Sequence, residues 1–319
     1  MNRFQSLDGW RGLSILFVLA GHLFPLSAKS WQMNGAVAAT GMVLFFILSG
    51  FLITNILLRD QNIFRFLVRR FLRIIPLAWL VLAITLMLLA ANQDAYFSHF
   101  LFYANWPPMS LTEATSHFWS LCVEMQFYVA IIFLVASLKS RVFIVVPALC
   151  IMVTLYRYAN GVEMAINTYF RIDEILAGCI LALLYNSKSY STSITSFFNS
   201  LNPVYIFPFL ILSAHPEGGG LNYFRPYIAM LLIGSTLFGE NKLWMNRVLS
   251  SKFLFYIASI SFALYVIHGG LRVTWLAEGD TLEKYIKRPL FLAVTFLLAH
   301  LSTFYYESYW IKLGKKITK

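Results

Sequence analysis

The chain has 319 residues, of which 59% are hydrophobic and 12% charged, with a mean hydropathy of +0.68. That balance excludes an ordinary soluble domain of this length and points to an integral membrane protein. The formal charge of +11 suggests nucleic acid only until the basic residues are located. With the N-terminus assigned to the cytoplasm, 17 of the 25 lysines and arginines fall on the cytoplasmic side, and the segment 92–117 has none. This is the positive-inside bias of a membrane protein, and no nucleic-acid partner is expected.

Apolar runs predict an all-α fold, a polytopic transmembrane helix bundle of about ten spans, at 12–27, 36–57, 74–91, 118–138, 142–158, 170–186, 203–214, 226–239, 253–274 and 289–310. The seventh and eighth runs are short. Read as a re-entrant pair, they lower the count to eight and leave the topology of the others unchanged. Both termini then lie in the cytoplasm. Residues 1–319 read as a single membrane-embedded domain, without a soluble C-terminal domain after the basic tail that ends at Lys319. Cys122, Cys150 and Cys179 lie within predicted spans without metal-ligand spacing, so they read as small apolar fillers, and no metal is expected. The longest non-spanning stretch, 92–117, holds Trp106, Pro107, Pro108, His99 and His117. Its aromatics suit membrane-interface anchors better than substrate platforms. The segment His215-Pro-Glu-Gly-Gly-Gly220 reads as a flexible turn.

The first run carries Arg11 and His22 at its two ends, eleven residues apart. Eleven helical steps are close to a whole number of turns, so both face the same way, rooted roughly 16 Å apart along the axis. That puts the arginine at the membrane edge and the histidine deep within, where an ionisable group marks a functional site by default. The competing readings are a buried histidine satisfied by a neighbouring helix and a signal-peptide core without chemistry. Gly21 and Pro25 bracket His22, which predicts a kink with free backbone groups beside it.

The stretch Arg65 to Pro76 reads as a helix entering the third span, with Arg70 and Arg73 on one face. Together with Arg11 they make a cationic cluster suited to a polyanion such as phosphate, or equally to anionic lipid headgroups and topology. The fourth span opens with His117 and places Glu124 at a depth matching His22. A carboxylate there orients an imidazole and stabilises its protonated form, or else pairs with an arginine of the bundle. Arg171 and Asp173 at the start of the sixth span, and His268 near the end of the ninth, lie at similar depth. For these, structural pairing competes with a role in an outward-facing polar chamber, and His300 reads as structural.

These elements resemble the acyltransferase-3 family of membrane acyltransferases, over nearly the whole chain. The opening Ser6-Leu-Asp-Gly-Trp-Arg-Gly12 and the pair Arg11 and His22 match its signature. So do Phe45-Phe-Ile-Leu-Ser-Gly-Phe-Leu52, Arg70 with Arg73, Trp119-Ser-Leu-Cys-Val-Glu124, Arg171 with Asp173, and Ser261 to His268, in the family's order. One departure is Met125, where many relatives carry a second acid after the glutamate.

The resemblance implies transfer of an acyl group, usually acetyl from acetyl-CoA, to a hydroxyl of a cell-envelope or lipid-linked carbohydrate, in a bacterial inner membrane. It implies Arg11, Arg70 and Arg73 as the site for the phosphates of acyl-CoA. His22 is then the general base supported by Glu124 and Arg11, and Arg171, Asp173 and His268 hold the glycolipid or carbohydrate acceptor. A covalent acyl-histidine step fits equally well. The competing class is a glycan or lipid flippase whose polar residues line a pathway without catalysis.

Overall fold

The computed structural model describes residues 5–187, 191–238 and 243–319, and is all-helical there. In chain order the helices are α1 (Gln5–Leu23), α2 (Met33–Arg59), α3 (Ile63–Leu88), α4 (Gln93–Phe100), α5 (Trp119–Leu138), α6 (Val142–Ala159), α7 (Thr168–Arg171), α8 (Asp173–Asn186), α9 (Ser191–Ser200), α10 (Pro203–Ala214), α11 (Leu221–Leu237), α12 (Leu243–Leu249), α13 (Lys252–Gly270), α14 (Thr281–Leu301) and α15 (Ser308–Ile317). Side-chain caps fix several starts, because the first turn of a helix leaves backbone N–H groups without partners. Asn62 accepts from the N–H of Arg65 at 2.9 Å, Asn92 from that of Ala95 at 2.9 Å, and Asp280 from that of Glu283 at 2.8 Å.

Among the described residues, six helical stretches are long and apolar enough to cross a membrane: Met33–Arg59, Ile63–Leu88, Ser116–Leu138, Val142–Ala159, Lys252–Val273 and Thr281–Ile317. A seventh is obtained if α9 and α10, bent by 79° about their junction, count as one. The four other expected spans are modified for identifiable reasons. Asp8, Arg11 and His22 dilute the apolar character of α1, and the sixth run is broken at Ile172 between α7 and α8. The seventh and eighth runs form helices of only 12 and 17 residues. The chain is an integral membrane protein whose span count by length is lower than the apolar runs alone suggest.

Two compact units are interleaved along the sequence. The first comprises Met1–Asp60 and Ser137–Ser259; the second comprises Gln61–Ala136 and Ile260–Lys319. The first is held by close helix approach at small residues, the main packing device where water supplies no driving force. A Cβ on Gly41 of α2 would stand 2.5 Å from the carbonyl oxygen of Ser14 in α1, and one on Gly50 would meet the carbonyl of Ile175 in α8. Gly178 returns the same contact to Ile47. The indole of Trp10 donates to Thr236 Oγ1 at 2.8 Å, which satisfies this buried polar edge.

In the second unit α3 runs beside the C-terminal helices. Tyr306 Oη donates to the carbonyl of Pro76 at 3.3 Å, and Arg69 Nε to Thr318 Oγ1 at 2.7 Å. Pro76 lies inside α3. The long C-terminal helix contains a π-helical stretch, Ser302–Glu307, a feature that often marks a functional position.

Candidate functional site

In the first unit Arg11 is half-exposed on α1 and makes a 3.9 Å ion pair with Asp8, one turn earlier. His22 is the penultimate residue of the helix and is exposed. The expected kink at Gly21 and Pro25 takes another form. The helix stops at Leu23, as the restriction on residues before proline favours, and Asn34 of α2 satisfies the ending. Its Nδ2 donates to the carbonyls of Gly21 at 2.8 Å and Phe24 at 2.5 Å. The histidine therefore stands at a fixed helix end instead of deep inside a continuous helix.

Arg171 and Asp173 lie in the same unit and are not paired with each other. Arg171 Nε donates to Glu174 Oε2 at 3.1 Å, while Asp173 Oδ2 accepts from Arg157 Nη1 at 2.6 Å. Glu174 Oε1 takes a further bond from Arg225 Nε at 2.7 Å. All five side chains are essentially buried. Arg157 and Arg225 were not singled out from the sequence, and Glu174 stood there only as the end of the Arg171–Glu174 group, without a role of its own. The signal available was their position: Arg157 and Arg225 are arginines in or beside apolar runs, where a charge is costly.

Arg70, Arg73, Glu124 and His268 belong to the second unit. The guanidinium of Arg70 stands 6.0 Å from the ring centroids of both Phe66 and Tyr128. Tyr128 Oη donates a short hydrogen bond to Glu124 Oε1, one helical turn away on α5. Arg73 is exposed and close enough to feel the charges of Arg70, Glu124 and Glu307. Glu307 is buried at the end of the π-helical stretch, where it accepts from Thr303 Oγ1 at 2.9 Å and Ser302 Oγ at 3.3 Å. The arginine pair and the glutamate thus form one electrostatic neighbourhood, joined by Tyr128. Sequence reading placed Arg70 and Arg73 at one membrane edge and Glu124 towards the other. The aromatic ring between them had no sequence signature of its own.

His268 is buried, and its Nδ1 donates to the carbonyls of Tyr265 at 2.6 Å and Leu264 at 3.1 Å. Carbonyl partners require the proton on Nδ1, which gives Nε2 acceptor character in the neutral ring. The ring centroid of His117 lies 5.0 Å away, its Nε2 donating to the carbonyl of Val266 at 3.3 Å. Tyr265 Oη bridges Ser120 Oγ, at 2.5 Å, and the carbonyl of His117. Glycine at 269 allows this close approach, because a Cβ there would enter the His117 ring unless the ring shifted. His268 thus belongs to a packed polar group with His117, Tyr265 and Ser120.

The 92–117 segment is more ordered than a plain loop. It contains α4, and Trp106 Nε1 donates to Gln126 Oε1 of α5 at 2.8 Å with the ring itself half exposed. His99 is buried between the carbonyl of Ala95, 2.7 Å from Nδ1, and Thr115 Oγ1, 2.9 Å from Nε2. Burial pushes this imidazole below its ordinary pKa, against the opposing pull of the Ala95 carbonyl. The three cysteines are buried and unpaired in disulfides.

Comparison with known proteins places these features in a family. Residues 4–307 match the acyltransferase-3 family, described as an acyltransferase domain, and the chain belongs to it. It is 24% identical to the peptidoglycan O-acetyltransferase OatA of Listeria monocytogenes, over 95% of this chain and 55% of that protein. Identity is 26% with the putative O-acetyltransferase SACOL0978 of Staphylococcus aureus, over 84% of this chain and 50% of that protein. It is 30% with the putative peptidoglycan O-acetyltransferase YrhL of Bacillus subtilis, over 59% of this chain and 34% of that protein. The chain therefore spans about half the length, or less, of these relatives. No solved structure matches it.

Proposed function

We propose that this member of the acyltransferase-3 family is a bacterial inner-membrane O-acetyltransferase, moving acetyl from acetyl-CoA to a hydroxyl of a cell-envelope carbohydrate. The observation that carries the reading is the connected neighbourhood of Arg70, Arg73, Tyr128 and Glu124, which unites fixed cations with a carboxylate in one unit. Guanidinium groups suit the phosphates of a CoA donor. The exposed imidazole of His22 suits a base that must meet two substrates.

In this scheme Arg70 and Arg73 bind the phosphates of acetyl-CoA. His22 takes the proton of the acceptor hydroxyl as its oxygen attacks the thioester carbonyl. The carbon–sulfur bond then breaks, the new ester forms, and the imidazolium returns its proton to the departing CoA thiolate. The general-base contribution is typically about 10²- to 10⁴-fold, and Glu124, held by the hydroxyl of Tyr128, supplies a carboxylate in the second unit. The relatives named as peptidoglycan O-acetyltransferases support a glycan of the envelope as acceptor.

The test is release of free CoA by purified protein given acetyl-CoA and peptidoglycan fragments, with the acetylated product weighed by mass spectrometry. Wild type should add one acetyl mass with stoichiometric CoA release, and His22→Ala, at matched protein levels, should lose both. A flippase using the same polar residues would release no CoA. Full activity in His22→Ala would remove the histidine from the mechanism.

A further inference from the structure

Among the described residues, the first unit gathers three arginines, Arg157, Arg171 and Arg225, around the carboxylates of Asp173 and Glu174, all five at 2% exposure or less. Glu163 contributes its carbonyl to Arg157 Nη2 at 2.8 Å, and its half-buried carboxylate makes no ion pair among the described residues. Buried charge without a full set of partners is expensive, so an uncompensated guanidinium in such a cluster calls for an anion.

The hydrogen-bond inventory localises the deficit. Asn222 ties two arginines together, its carbonyl accepting from Arg157 Nη2 at 3.2 Å and its Oδ1 from Arg225 Nη1 at 3.2 Å. Arg157 Nε and Arg225 Nη2 are buried donors without an acceptor, and Asp173 Oδ1 is a buried acceptor without a donor. The remaining contacts of Arg225 Nη1 are the Ser213 carbonyl at 3.5 Å and the thioether of Met164 at 3.0 Å. A thioether is a weak acceptor for so strong a donor. Met164 is itself 38% exposed, in the loop between α6 and α7. Arg225 Nη1 therefore touches a flexible, unbranched side chain that itself reaches the surface.

We propose that this cluster is a subsite for a carboxylate carried by the saccharide acceptor. Displacement of the Met164 side chain lets the anion take Arg225 Nη1 and Nη2 together, the fork geometry in which guanidinium binds oxyanions best. Asp173 Oδ1 accepts a neighbouring sugar hydroxyl. That the anion is borne by a saccharide rests on the acyl transfer proposed above; that the cluster takes an anion does not.

The test is thermal unfolding of the full chain in nanodiscs with glucuronate, glucose or inorganic phosphate at matched ionic strength, without any acyl donor. A ligand bound only by the folded state raises the midpoint. Glucuronate should raise that of the wild type by a few degrees, glucose should not, and Arg225→Gln should abolish the response. Met164→Glu supplies a tethered carboxylate and should be more stable than wild type while no longer responding to glucuronate, which keeps the test open if Arg225→Gln does not fold. An unchanged midpoint with glucuronate, or an equal rise in Arg225→Gln, overturns the subsite. A rise with phosphate and none with glucuronate identifies an adventitious ion only and overturns the saccharide assignment. CoA release, measured separately, tells failure of the subsite from failure of acyl transfer.

Discussion

Arg70 lies 6.0 Å from the ring centroid of Tyr128, whose hydroxyl is bonded to Glu124. One phenol thereby touches a group expected to hold donor phosphate and a group expected to act in chemistry. A cation over an aromatic face gains about 0.5 to 2 kcal/mol, and hydrogen bonds to charged groups contribute about 1.5 to 3 kcal/mol. The two contacts can be separated by substitution.

Tyr128→Phe keeps the ring beneath Arg70 and removes the donor to Glu124. It should lower the rate constant for acetyl transfer by about 10- to 100-fold, as follows from losing a bond of about 1.5 to 3 kcal/mol, with little change in KM for acetyl-CoA. Arg70→Ala should raise that KM instead. Steady-state kinetics with acetyl-CoA as the varied substrate separates the two, and identical patterns would contradict this division of labour.

Gly269→Ala puts a methyl group into the ring of His117. Overpacking typically costs about 1 to 3 kcal/mol, so the variant should unfold at a lower temperature and recover partly when combined with His117→Ala. Thermal melts of the single and double variants in detergent provide the check; additive losses would mean that the two residues do not interact.

Arg157→Leu removes the ion-pair partner of Asp173 and leaves that buried carboxylate without its hydrogen-bonded cation. Breaking one side of a buried pair costs about 3 to 5 kcal/mol. Replacing both, as Arg157→Leu with Asp173→Leu, should be less damaging than the single change, which denaturant titration can measure.

His99 gives the folded state a pH dependence of definite sign. Its pKa is lowered by burial, so the unfolded chain binds a proton on this residue at a higher pH than the folded chain does. Its contribution is fully present above the ordinary histidine range, near 6.5. It is lost as pH falls through that range, and the loss stops growing below the folded value. Melting temperatures between pH 7.5 and 5 should fall less steeply for His99→Gln than for wild type, and parallel curves would place the dependence elsewhere.

Composition and periodicity determined the membrane class, the helical fold and most helix positions, because burying backbone in lipid leaves few solutions and apolar runs report them directly, while the order of short motifs carried the resemblance to the family. The 203–214 run coincides with α10, and 142–158 is within one residue of α6. The sequence also identified Arg171 and Asp173 as unusual, since charged residues at the head of an apolar run are costly wherever they point. It did not determine their partners. Arg157 and Arg225 come from other helices, and α6, α8 and α11 must pack before the pairs Arg157 with Asp173 and Arg225 with Glu174 exist. Tyr128 is likewise one aromatic among many until α3 and α5 bring Arg70 over its ring. The end of α1 at Leu23 was not legible: Pro25 suggested only a kink within a run reaching residue 27, while Asn34, ten residues beyond Phe24, supplies the bond that fixes the ending. Spacing along a helix encodes which face a residue occupies, but long-range partners are chosen by how helices pack, and that was decided by the tertiary structure alone.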